Sequence, residues 1–197
     1  MSLILAQAEA RVFSLLKTLP AVYYYHNLVH TFSFVYPRAL FYGQHEKLKP
    51  SQKEILGLAA LFHDTGFLDS HIDHEQFSAQ RAGDFLAQQN YSSAKTKLVQ
   101  KLILATCFPP KPQNQLEKVI GDADLDYLGT PYYLRIAKQL RRELCEVNHR
   151  TFTDREWYHS QIDFLTTHAY FTLSAQTARN QGKKKNLLLL QKLLSGM

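Results

Sequence analysis

Ala59-Ala60-Leu61-Phe62-His63-Asp64-Thr65-Gly66 is an unbroken apolar run that passes straight into an imidazole and a carboxylate. The run reads as the end of a buried helix covering about 51–64. Burying a histidine and an aspartate there is costly unless a partner or a cation offsets it, and a bound divalent metal is such a partner. Successive helical residues diverge by about 100°, so one ion meets both side chains only near the helix end. Gly66 is placed to terminate the helix at that point. The plainer alternative is a His-Asp capping pair.

Working outward, the apolar spacing is helical almost everywhere, with recurrences at three and four residues over 3–18, 28–42, 51–64, 74–89, 93–106, 113–127, 131–147, 154–180 and 186–194. Strict two-residue alternation is absent. Ser51 with Glu54 reads as a capping box, Asp154 ahead of Trp157 and Tyr158 opens another helix, and Pro109, Pro110 and Pro112 interrupt between two more. With 8 Gly, 7 Pro, no repeat and no low-complexity linker, the expectation is an all-α helical bundle of about nine helices forming a single domain over 1–197.

Composition narrows the function classes. A chain of 197 residues, 45% of them hydrophobic and 20% charged, buries a core without disulfides or structural metals, so any metal serves chemistry before folding. Cys107 and Cys145 form no C-x-x-C pattern, which fits a reducing, cytoplasmic setting. No apolar run approaches the roughly 20 residues that span a bilayer, and Glu9 and Arg11 break the N-terminal apolar stretch, unlike a signal peptide. The net charge of +6 is uneven: residues 1–100 carry 9 basic and 8 acidic side chains, residues 101–197 carry 14 and 9. Lys183, Lys184 and Lys185 account for part of it and read as a solvated helix end or tail, ahead of a binding patch. No recognition-helix or aromatic-basic motif accompanies the charge, which argues against a nucleic-acid partner.

Six of the nine histidines fall between His26 and His74. In Tyr25-His26-Asn27-Leu28-Val29-His30 the two histidines share a face if one helix runs through both, whereas a helix starting at Asn27 leaves His26 just before the first turn. Core histidines are the plainer alternative. A third cluster, Gly121-Asp122-Ala123-Asp124-Leu125-Asp126, sets three carboxylates at alternate positions inside an apolar segment, where they repel one another unless a cation or basic groups intervene. Helix geometry lets one of the three be a ligand and leaves the other two as caps or solvent-facing groups.

The order His30, then His63-Asp64, then Asp124 across an all-helical chain resembles the HD-domain superfamily of metal-dependent phosphohydrolases, over about residues 20–130. The resemblance implies a helical bundle in which His30, His63, Asp64 and Asp124 hold a divalent cation, Asp124 being preferred to Asp122 for its Ala-Asp context. Tyr25-His26-Asn27 followed by His30 resembles the Y-H-N-x-x-H signature of cyclic nucleotide phosphodiesterases, which implies His26 as the proton donor to the leaving oxygen. His74-Glu75 with Ser78-Ala79 is similar to an H-E-x-x-S-A context of HD proteins, and makes His74 a candidate general acid, second-metal ligand or supporting group.

The candidate ions are Mn, Fe, Co, Ni, Mg or Zn. Two imidazoles and two carboxylates leave open positions on an octahedral ion, which suits the first five better than a closed structural zinc. Metal-lowered water pKa supplies the nucleophile, Asp64 orients it or accepts its proton, and His26 or His74 protonates the leaving oxygen. Arg81, on the His74 face of its helix, Lys111 and Arg135 are candidate clamps for phosphate. The expected function is hydrolysis of a small phosphate ester, a nucleotide or cyclic nucleotide first, with homo-oligomerisation left open. The alternatives are a non-catalytic nucleotide-sensing or protein-docking module, and a diiron oxygenase drawing on His71, His74 or His149. His168 is read as a core or capping histidine.

Overall fold

The computed structural model describes residues 2–197. Among them are nine α-helices and no strand: α1 (Leu3–Leu16), α2 (Tyr36–His45), α3 (Pro50–Phe62), α4 (His74–Gln88), α5 (Ser93–Leu104), α6 (Gln115–Asp124), α7 (Tyr133–Val147), α8 (Asp154–Thr167) and α9 (Leu173–Ser195). A π-helical turn over His30–Val35 leads into α2, and 3-10 turns follow α3 at Thr65–Leu68 and α6 at Asp126–Gly129. No helix is long and apolar enough to cross a membrane among the described residues.

The centre is α3. Every residue from Ile55 to Phe62 is buried, and a helix apolar on all sides needs neighbours on all sides. It finds them in α1, α2, α4 and α5, with α6 closing the end near the His-Asp step. One hydrophobic core runs from Leu5 on α1 to Leu190 on α9.

Three helix boundaries differ from the sequence reading, each set by identifiable hydrogen bonds. Chain entry into α3 is fixed by Gln52, whose Oε1 accepts from Lys49 N–H at 2.9 Å, while Glu54 accepts instead from Tyr91 Oη at 2.8 Å. The stretch 28–42 is a π-helical turn before α2, started by Asn27, whose Oδ1 accepts from the N–H of Val29 (2.9 Å) and His30 (3.3 Å). The stretch 154–180 breaks at His168 because Asp122 captures the backbone there: its carboxylate accepts from Phe171 N–H (2.8 Å), Thr172 N–H (2.7 Å) and Thr172 Oγ1 (2.6 Å). The second half then continues through 186–194 as one helix, α9.

The C-terminal helix is tied to the turn behind Asp124. A Cβ on Gly182 would lie 2.0 Å from the Gly129 carbonyl oxygen, so only glycine permits the crossing. Asn186 Nδ2 donates to the carbonyls of Leu128 (2.8 Å) and Thr130 (2.9 Å).

Candidate metal centre

Four elements bring the expected ligands together. His30 opens the π-helical turn, His63 follows the last residue of α3, and Asp64 then leaves helical geometry at φ −106°, ψ 5°. That departure lets adjacent residues face one point despite their divergence on a helix. Asp124 is the last residue of α6. Gly66 acts differently from the expected helix stop: a Cβ there would lie 1.9 Å from the His74 carbonyl oxygen, and its N–H donates to Ser78 Oγ at 2.8 Å. It allows α4 to close against the His-Asp step.

The donor atoms crowd together. His30 Nε2 lies 3.1 Å from Asp124 Oδ1, 3.5 Å from Asp64 Oδ2 and 3.4 Å from His63 Nε2. His63 Nε2 lies 3.2 Å from Asp64 Oδ2 and 3.6 Å from Asp124 Oδ1. Ligands bound to one ion at about 2.0–2.2 Å stand about 2.8–3.6 Å apart between octahedral and tetrahedral geometry, and these separations fall in that range. The buried His30, His63 and half-buried Asp124 form a group able to hold a metal ion. Asp64 Oδ2 is buried with no hydrogen-bond partner, and an orphaned carboxylate oxygen aimed at two imidazoles is what a cation satisfies. The His63 ring is fixed from its far side: Nδ1 hydrogen-bonds the Ala60 carbonyl at 2.8 Å, leaving Nε2 as the atom able to ligate.

The electrostatics follow from the crowding. Burial disfavours a charged His63, yet the charge and hydrogen bonds of Asp64 and Asp124 raise its pKa well above the ordinary histidine value. Burial pushes the two carboxyl groups up, but His63 pulls Asp64 well below the usual range, helped by His74 and His26. His30 and His63 do the same for Asp124. The pocket favours positive charge among its carboxylates.

Beside this group lies a cavity of about 490 Å³. Asp64, Asp124, His26 and His74 line it, as does Glu75. His26 sits in the loop before Asn27, so it shares no helix with His30. Its Nδ1 hydrogen-bonds Glu143 Oε1, and Glu143 Oε2 also accepts from the N–H of Tyr25 (2.7 Å) and His26 (3.0 Å). Burial lowers the His26 pKa, but Glu143 and the charge of Asp64 outweigh it and the net direction is upward. His74 Nε2 lies 3.6 Å from Asp64 Oδ1. The Phe67 ring stacks on both histidines, at 4.2 Å from His26 and 3.9 Å from His74.

The three expected phosphate clamps have different surroundings. Arg81 donates to Asp69, Lys111 is exposed in its loop, and Arg135 lines a second cavity of about 240 Å³ together with His30, Tyr25 and Tyr127. Among the described residues, Arg150 is the only Lys or Arg lining the larger cavity. The other two acidic-cluster members are structural: Asp122 holds Thr172, the N-cap residue of α9, and Asp126, expected as a cap or at the surface, is buried with Tyr42, Arg38 and Arg179. His71 and His149 are exposed. His168 caps α8 with its ring edge-on to Tyr170. Glu143, Gln161 and Arg150 are absent from the sequence reading. For the first two a signal exists: Glu143 falls in register with Ile136 and Leu140, and Gln161 with Trp157 and Leu165, polar groups on apolar helical faces.

Comparisons of the chain with known protein families, curated proteins and solved structures find no match.

Proposed function

We propose that the chain is a divalent-metal-dependent phosphohydrolase acting on a small phosphate ester, with a nucleotide as the favoured class. The observation that supports this most is the convergence of His30, His63, Asp64 and Asp124 around the unpartnered Asp64 oxygen, beside a cavity large enough for such a ligand. A divalent cation held there supplies Lewis acidity toward phosphate and a water that deprotonates near neutral pH.

The remaining work falls to the chain's own groups. Glu143 occupies His26 Nδ1, so Nε2 is the nitrogen left for substrate. As a water oxygen bonds to phosphorus, the P–O bond to the alcohol breaks with its electron pair on the alcohol oxygen, and His26 Nε2 gives that oxygen its proton. His74, next to Asp64 Oδ1, supports the carboxylate's orientation. Arg150 pairs with a phosphate oxygen.

The test combines metal analysis with product release. The purified chain should retain a divalent ion and release phosphate from a small ester, and Asp64→Ala should abolish both. Confirmed metal with no turnover across a broad phosphoester panel overturns the reading.

A further inference from the structure

Resting on the phosphohydrolase reading, we infer that the substrate carries a single phosphate as its only anionic group and an aromatic ring in its alcohol part, so that monophosphates are accepted and polyphosphates refused. Two features of the cavity carry this. The first is charge. Arg150 is its only Lys or Arg among the described residues, while Glu75, itself buried, joins Asp64 and Asp124 in the lining. One phosphate finds the cation and one guanidinium. Each further phosphate adds negative charge beside Glu75 with no Lys or Arg left to pair it and with His26 already engaged by Glu143, and an unpaired charge in such a site is strongly disfavoured.

The second feature is an apolar wall. Leu140 and Leu144 from α7, Phe164 from α8, and Phe108 and Pro110 from the loop between α5 and α6 make it apolar. The Phe108 and Phe164 rings stand 5.6 Å apart at 63°, an edge-to-face pair that offers a flat ring both a face and an edge. Thr106 and Gln161 add uncharged polar side chains to the same lining, enough to orient a ring that bears a hydrogen-bonding group.

The experiment uses the metal-loaded chain and three probes: 2-phenylethyl phosphate, butyl phosphate and 2-phenylethyl diphosphate. The two alcohols leave with similar ease, so the comparison isolates the wall. Phenylethyl phosphate should exceed butyl phosphate in kcat/KM by about tenfold or more, and the diphosphate should be slower than either monophosphate. Phe164→Ala should bring the phenylethyl-to-butyl ratio toward one. Phe108→Ala should do the same, and because Phe108 is 64% exposed its removal leaves the core intact. Equal rates for the two monophosphates, a preference for the diphosphate, or an unchanged ratio in both variants overturns the inference and leaves the phosphohydrolase reading standing. No turnover of any probe by protein with metal bound overturns that reading, and this inference with it.

Discussion

Replacing Glu143 by glutamine tests the link between α7 and the proposed acid. The carboxylate accepts three donors, Tyr25 N–H, His26 N–H and His26 Nδ1, in a buried position. Glutamine keeps the size and one acceptor oxygen for the backbone amides, but the negative charge facing the imidazole is gone. A hydrogen bond to a charged group contributes about 1.5–3 kcal/mol, which is roughly a ten- to hundredfold change in the imidazolium equilibrium. The sign follows from the direction of the shift: Glu143 raises the His26 pKa, so the acid form survives to higher pH in the native chain and is lost as pH rises. In Glu143→Gln that loss comes earlier. At alkaline pH kcat/KM should fall about ten- to hundredfold, while at acidic pH the two proteins converge because both carry the imidazolium. The assay is a pH profile of kcat/KM for both proteins, with circular dichroism to confirm the fold. A uniform loss at every pH, or an alkaline limb that does not move, refutes the assignment of Glu143 as the group that holds His26 in its acid form.

Three further outcomes are expected. Manganese added to metal-stripped protein at about a hundred times its dissociation constant should stabilise the fold by about 2.7 kcal/mol, read as a rise in Tm, and Asp64→Ala should erase the rise. Asp126→Ala leaves the Arg179 guanidinium, bonded at 2.8 and 2.9 Å, without its buried partner, and urea unfolding should report a loss of about 3–5 kcal/mol. His168 is held down to about 4 by burial and then by Lys183; below about pH 6.5 the unfolded chain takes a proton that the folded imidazole refuses, so stability should fall on the order of 2 kcal/mol between pH 6.5 and 4 after allowing for solvent screening. His168→Phe should flatten that slope in denaturant midpoints.

The fold class is legible in the sequence because helical periodicity is a local property, and the central helix announces itself by lacking a polar face at Ile55–Phe62. The His30, His63, Asp64 and Asp124 set is legible for a related reason: ionisable groups set into apolar runs stand out wherever they occur. What the sequence conceals is long-range pairing. Asp122, Asp124 and Asp126 look alike in the chain, and only their partners separate them: α9's N-terminus takes Asp122, Arg179 takes Asp126, and the two histidines face Asp124. The break at His168 is equally non-local, since Asp122 imposes it from about 50 residues away. Arg81 illustrates the converse. Its helical face matches that of His74, but Asp69 in the preceding turn is nearer and takes the guanidinium.

The grip of α9 on the turn at Asp126–Gly129 gives the site a timetable. A chain made from its N-terminus has His30, His63 and Asp64 in hand early, and Asp124 soon after. The turn behind Asp124 stays without its clamp until Arg179, Gly182 and Asn186 have been synthesised. The position of Asp124 is therefore secured only once α9 has followed it, so the proposed metal set reaches its final geometry after the helices that carry it.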